Sequence, residues 1–431
     1  MAAEAHLSAV GTTGHGADLP PARRPRPKNR KARIAAVAAE AFSAHGYHGV
    51  GMDDIAAAVG ISGPALYRHF PGKYALFRSS VETLVTALAE ATELPDPPGR
   101  SPAERLESLL ESLAHTSIEY RRSGGLYRWE ARFLAEDDRR RVIDTMRIVM
   151  RRLREPIAAM RPALSPPDVR MRATAVLSIM GSITGHRSPL AQRRIAPLLV
   201  DGCLAVVDCP LPTADDITPD ARRDNGGPPR QRNGAGTQDR RETLLKEALT
   251  LFARHGYHEV GIEDIASASG LTASGVYRYF SGKPALLDAA FQRVLDGLGA
   301  AQNAVIDSAT DPDDALRRLT RLYVRRGFRH PDQLTVYFAE IANLPPGRRR
   351  SVTAVQRKGA HAWARLLVQV RPELSDGEAR YLVHAAYAVI LDVGRLVRFD
   401  PDPQVRTHVE AMITGLLFGR TPESTADREQ M

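Results

Sequence analysis

Cysteine is nearly absent from this chain. Of its 431 residues two are cysteines, Cys203 and Cys209, and aromatic side chains make up 6%. Two cysteines cannot build a disulfide framework, and no second cysteine or histidine pair completes a zinc site, so no metal is expected. No window reaches the roughly 18 uninterrupted apolar residues of a membrane-spanning helix, which excludes the membrane as a partner. The opening segment, MAAEAHLSAVGTTGHGADLP, has no basic stretch followed by an apolar one, so no secretory leader is expected. Also missing are a serine elbow, a phosphate-cradling glycine loop before a helix, and a histidine–carboxylate set at metal spacing. Neither an enzyme nor a cofactor is expected; the expectation is a soluble, cytoplasmic protein.

What is present is an ordinary globular balance, 43% hydrophobic and 25% charged, with 59 Lys+Arg against 50 Asp+Glu for a formal +9. A positive surplus suits polyanionic partners, although arginine-rich coding alone would also produce it. Placement must decide.

The chain is written twice. His45-Gly46-Tyr47-His48 recurs as His255-Gly256-Tyr257-His258, an offset of 210 residues that also aligns Asp54-Ile55-Ala56 with Asp264-Ile265-Ala266 and Gly72-Lys73 with Gly282-Lys283. Towards the end a shift to 214 fits better, placing Ile195, Leu198 and Leu199 on Val409, Met412 and Ile413. Such a period is far too long for a solenoid repeat and marks a whole-subunit duplication. Apolar positions recur at helical spacing throughout, as in Ile34, Val37, Ala38, Ala41 and Phe42, and no β-branched alternation appears, so the expected fold is all-α.

The expected order is a disordered basic arm (1–27), a three-helix unit (28–76) and a larger helical body (77–207). A flexible Pro/Gly-rich linker follows (208–237), then a second unit (238–287), a second body (288–419) and a disordered tail (420–431). For the arm, phosphate or minor-groove contact and an inert solvated tail both remain open.

Residues 51–77 carry the main motif. Met52–Val59 reads as a short helix with Ile55 and Ala56 inward. Gly60 suits a left-handed turn, Ser62 an N-cap, and Pro64 the first turn of a second helix. Two helices joined by such a turn form a helix-turn-helix, whose second helix enters the major groove. Small residues at its mouth, Gly63, Pro64 and Ala65, let it approach the bases, with Tyr67, Arg68 and His69 reaching outward and Lys73 beginning the next helix. The second copy repeats the design with Thr272 as N-cap, Ala273, Ser274 and Gly275 at the mouth, then Tyr277, Arg278, Tyr279 and Lys283.

The segments AEAFSAHGYHGVGMDDIAAAVGISGPALYRHFPGKYALF and EALTLFARHGYHEVGIEDIASASGLTASGVYRYFSGKPALL resemble the TetR/AcrR family of bacterial transcriptional regulators. The resemblance implies phosphate contacts from Tyr67, Lys73, Tyr277 and Lys283. It implies groove-facing roles for Gly63, Ala65, Arg68 and His69, and for Ala273, Gly275, Arg278 and Tyr279. Tyr67 retains a second reading as a packing residue. The remainder of each copy looks only generically like the family's ligand-binding domain. Tyr127, Trp129, Phe133, Met146, Trp363 and Tyr387 are candidate walls for a small, largely apolar effector, with plain core as the alternative for each.

Reading one half-site with one short helix gives too little specificity, so such heads work in pairs. The expectation is a small-molecule-responsive repressor whose copies pair as an intrachain pseudo-dimer on double-stranded DNA at an imperfect inverted-repeat operator. The stripes Ile195, Leu198, Leu199, Gly202, Cys203 and Val405, Val409, Met412, Ile413, Leu416 would face each other. A linker of about 30 residues reaches far enough and keeps the second copy at millimolar-scale effective concentration. The rivals are a further homodimer of chains, and an architectural or weakly specific DNA-binding protein without ligand control.

Overall fold

A computed structural model describes residues 30–95, 97–213 and 237–420. The basic arm, the linker beyond Thr213 and the tail beyond Arg420 lie outside the described residues. Every regular element among the described residues is helical, and none is long and apolar enough to cross a membrane.

The first copy runs α1 (Arg30–His45), α2 (Met52–Val59), α3 (Gly63–Tyr67), α4 (Lys73–Ala91), α5 (Pro102–Glu119), α6 (Glu136–Met160), α7 (Pro166–Ser182) and α8 (Gln192–Asp208). The second runs α9 (Thr237–His255), α10 (Ile262–Ala268), α11 (Ala273–Tyr277), α12 (Lys283–Ser308), α13 (Pro312–Arg329), α14 (Pro331–Ala339), α15 (Pro346–Val370), α16 (Asp376–Leu396) and α17 (Pro403–Phe418). The copies diverge between their fifth and sixth helices. Copy 2 begins a fresh helix there, with Pro331 at its first position and Asp332 in its first turn, both favourable at a helix N-terminus. Copy 1 has Gly124-Gly125 in the corresponding stretch, where each glycine disfavours helix by about 1 kcal/mol. It forms only a π turn, Leu126–Glu130, and a 3₁₀ turn, Ala131–Phe133.

The copies meet along a seam in which α7 packs on α16 and α8 on α17. Gly202 and Leu416, from the apolar stripes on α8 and α17, meet in it; the α7–α16 face, the more extensive of the two, carries no comparable signal. Close approach sets the residue types. A Cβ on Gly202 would stand 2.9 Å from Leu416 Cδ1, and one on Gly415 would stand 2.8 Å from Cys209 Cβ. An approximate two-fold relation shows in the polar contacts: Arg194 Nε donates to Glu378 Oε1 at 2.9 Å, while His408 Nδ1 lies 3.0 Å from Asp168 Oδ1. At the root of the linker the fully buried Arg172 donates to the carbonyls of Val207 at 2.8 Å and Cys209 at 2.6 Å, pinning the chain where α8 ends.

The core is unequally shared. One continuous apolar cluster runs from the first three-helix head through both bodies. The second head, centred on Phe252, Ile265, Val276, Phe280 and Phe291, forms a cluster of its own that takes in Val336, Leu344 and Val352 of the body below it.

Candidate nucleic-acid interface and effector cavities

Each head is shaped by a few local constraints. The Asp54 carboxylate accepts from Gly51 N–H at 2.8 Å and Asp264 from Gly261 N–H at 2.7 Å, starting α2 and α10. Gly60 (φ 74°) and Gly270 (φ 67°) take the left-handed conformation, after which Ile61 N–H and Leu271 N–H each return to a carbonyl five residues back at 2.9 Å. No atom crowds the place a Cβ would occupy at either glycine, so the backbone angle, not space, selects glycine. The caps differ. Thr272 Oγ1 accepts from Gly275 N–H at 3.2 Å, whereas Ser62 occupies the cap position without a side-chain bond.

The reading helices α3 and α11 have the same exposure pattern residue for residue. Leu66 and Val276 are buried, as are Phe70 and Phe280. Tyr67 is 52% exposed and Tyr277 56%, with Arg68 and Arg278 also outward. These tyrosines therefore point away from the core. His69 and Tyr279 are half-buried beside them, as are Gly63, Ala65, Ala273 and Gly275, while Ser62, Pro64, Thr272 and Ser274 lie at the surface. Lys31 sits over the Phe70 ring at 5.2 Å, and Arg241 over Phe280 at 5.0 Å.

The two lysines face the other way. Lys283 Nζ donates to the carbonyls of Tyr257 at 2.8 Å and Val260 at 2.9 Å and lies 4.5 Å from the Tyr257 ring centre. Lys73 Nζ has one longer bond, 3.4 Å to His48 O, and sits 4.6 Å over Tyr47. Desolvation lowers the pKa of both ammonium groups. In this structure they secure the loop between the first two helices.

The heads touch. The His48 and His258 rings stand 4.4 Å apart across the seam, and burial followed by the neighbouring His258 pushes His48 below its usual pKa. Head 1 is tied to its body by the buried Glu130, which the offset pairs in sequence with the buried Glu340 of copy 2. Glu130 Oε2 accepts from Tyr47 N–H at 2.6 Å, and burial raises the pKa of that carboxyl. Glu340, fully buried, accepts from Arg132 of the other copy at 2.6 Å. Arg132 also lies 3.4 Å from where a Gly256 Cβ would be.

Two cavities lie beneath the heads. The first, about 920 Å³, takes Tyr127, Trp129 and Met146 from copy 1 but is completed by Ala253, Thr335, Ala339, Asp392, Arg395 and Leu396 of copy 2. Burial pushes the Tyr127 phenol up to about 12. The second, about 630 Å³, lies wholly within copy 2, where Tyr387 stacks on Tyr323 at 5.2 Å. Two of the six candidate wall residues stand elsewhere. Phe133 lines neither cavity; its ring packs on Tyr47 at 5.7 Å and His48 at 4.7 Å, joining head 1 to its body. Trp363 is fully buried behind the second cavity, edge-on to Tyr323 and Tyr387. Sequence reasoning passed over Arg128, Arg132 and Arg395, because arginines at helical spacing read as solvated faces.

Paired helix-turn-helix heads, each with an outward tyrosine–arginine face on a helical body, define the class: a two-headed helix-turn-helix protein. The description "Bacterial regulatory proteins, tetR family" matches residues 34–79 and again 244–290, so the chain carries the N-terminal domain of the tetR family twice. The HTH-type transcriptional repressor KstR2 of Mycobacterium tuberculosis is 29% identical over 105 residues, covering 24% of this chain and 52% of that protein. The HTH-type transcriptional activator FasR of Mycolicibacterium smegmatis is 32% identical over 103 residues, 23% of this chain and 47% of that protein. The chain thus spans about half the length of the curated relatives it matches. A solved TetR-family regulator from Bordetella parapertussis is 24% identical, with 42% of this chain and 96% of that chain covered and a TM-score of 0.39.

Proposed function

We propose that this protein is a sequence-specific regulator of transcription that grips double-stranded DNA with both heads of one chain and releases it in response to a small molecule. The observation that carries the reading is the pair of reading helices, α3 and α11, exposed alike but dressed differently. Gly63 stands against Ala273, Pro64 against Ser274, Ala65 against Gly275 and His69 against Tyr279. Two half-sites read by unlike faces make an imperfect inverted repeat. The intrachain seam supports pairing of the two copies as a pseudo-dimer, and the cavities beneath the heads support control by a ligand.

A binding selection from a random duplex library, with light scattering on the pure protein, tests this. The expected product is two unlike half-sites about one helical turn apart, bound at least about 10³-fold more tightly than random DNA by a protein of single-chain mass. Recovery of no preferred sequence overturns specific regulation in favour of an architectural role. A perfect palindrome bound by two chains overturns the pseudo-dimer.

A further inference from the structure

We infer that the cavity shared by the two copies binds one amphipathic organic anion per chain, and that this anion acts on the second head through Arg132. The inference rests on the regulator reading above and names the chemical class of its effector. At about 920 Å³ the cavity is of the size that encloses small-molecule ligands. Seven arginines line it, and one carboxylate, Asp392. The cavity inside copy 2 is lined by two arginines and one lysine against two aspartates. A cation would be repelled from the shared site and a neutral ligand would leave its charges unanswered.

Arginines are common in this chain, and many are simply solvated. Those at the inner end are not. The Arg128 side chain is only 14% exposed, and its Nε and that of Arg132 are buried with no acceptor. Arg395 lies over the Trp129 ring at 5.0 Å and forms no ion pair among the described residues, while burial lowers its pKa. Asp392 is already engaged, by Arg128 and by Ser178 Oγ at 2.8 Å. Buried charge without a counter-charge is costly, and a bound carboxylate, sulfonate or phosphate supplies the missing acceptor. Leu113, Met146 and Met180 offer an apolar wall to the rest of the ligand.

The route to DNA is short. Ala253, near the end of the first helix of head 2, lines the same cavity, and so does Arg132, which pairs with Glu340 of the copy 2 body and lies 3.4 Å from where a Cβ on Gly256 of that head would be. An anion that draws on Arg132 pulls the guanidinium from Glu340 and from beneath Gly256, so head 2 loses its fixed seat and affinity for DNA falls.

The test uses the full chain and 8-anilinonaphthalene-1-sulfonate as fluorescent probe, displaced in turn by decanoate, 1-decanol and decyltrimethylammonium. One displaceable site per chain is expected, with decanoate at least about tenfold better than decanol, a difference of about 1.4 kcal/mol, and the cation ineffective. Arg395→Met should weaken decanoate about tenfold, whereas Arg365→Met in the copy 2 cavity leaves it unchanged. Asp392→Asn, which removes the only carboxylate, should tighten it, so the site remains testable if Arg395→Met fails to fold. Displacement by decanol equal to that by decanoate, or a loss that follows Arg365 rather than Arg395, overturns the site. On the selected duplex, saturating decanoate should lower affinity several-fold in fluorescence anisotropy, and Arg132→Gln should abolish that response even at decanoate concentrations that saturate the variant in the displacement assay. DNA binding indifferent to saturating decanoate overturns the coupling. A protein that binds no DNA sinks the regulator reading, while the displacement arms still judge the anion site.

Discussion

Lys73 and Lys283 occupy one place in the duplicated design and each lies 3.4 Å from the matching histidine carbonyl, His48 or His258, yet only the second adds shorter bonds, 2.8 and 2.9 Å, to the carbonyls of Tyr257 and Val260. The caps show the same inequality, with Thr272 bonded to Gly275 N–H and Ser62 without a side-chain bond. Head 2 is thus better fastened within itself, while its apolar cluster, joined by Val336, Leu344 and Val352 of its body, is distinct from the main core. Head 1 is looser internally but shares the main core. The comparison teaches that the two heads reach order by different routes: one is self-supporting, the other is supported by what it stands on.

Removing the central ring of each head should break this contrast most forcefully. Phe42 and Phe252 are both fully buried, and either substitution to Ala should cost about 3–5 kcal/mol. Phe252→Ala should yield two unfolding transitions by calorimetry, with head 2 melting first. Phe42→Ala should lower the main transition, because its core is continuous with the bodies. Matching single transitions in both variants would erase the distinction.

A smaller effect should separate the lysines. Lys283→Met is expected to cost about 1–2 kcal/mol in chemical denaturation and Lys73→Met under about 1, following the carbonyls each leaves behind. The salt dependence of DNA binding gives an independent reading. If either ammonium swings out to a phosphate in the complex, its loss reduces the slope of log K against log salt by about one. An unchanged slope confines that lysine to the loop it secures in the structure.

The smallest difference lies at the caps. Thr272→Ala should cost about 0.5–2 kcal/mol, a lost N-cap bond. Ser62→Ala should be near neutral. Equal losses in urea titrations would mean that the two reading helices start alike after all.

Much of this was legible in sequence, and the reasons are local. Asp54 and Gly60 fix a helix start and a left-handed turn within seven residues, so the segment Met52–Val59 is readable to the residue. The stripes Ile195–Cys203 and Val409–Leu416 show their apolar faces through periodicity alone. What periodicity cannot give is the partner of a face. Phe133 looks like a ligand wall until Tyr47 and His48, more than 80 residues earlier, fold onto it. Arg128 and Arg132 find Asp392 and Glu340 more than 200 residues away, across a seam that no local signal announces. The α7–α16 face escaped for a related reason: helices apolar on most sides lack the contrast that marks a buried stripe.

The seam between the copies is built from unlike halves, Arg194 with Glu378 on one side and His408 with Asp168 on the other. In an assembly of identical subunits every change of residue lands twice, and a harmful one must be repaired in both mirror positions at once. Here each side drifts singly. The joint is free to diverge one side at a time, a freedom that a seam between identical chains lacks.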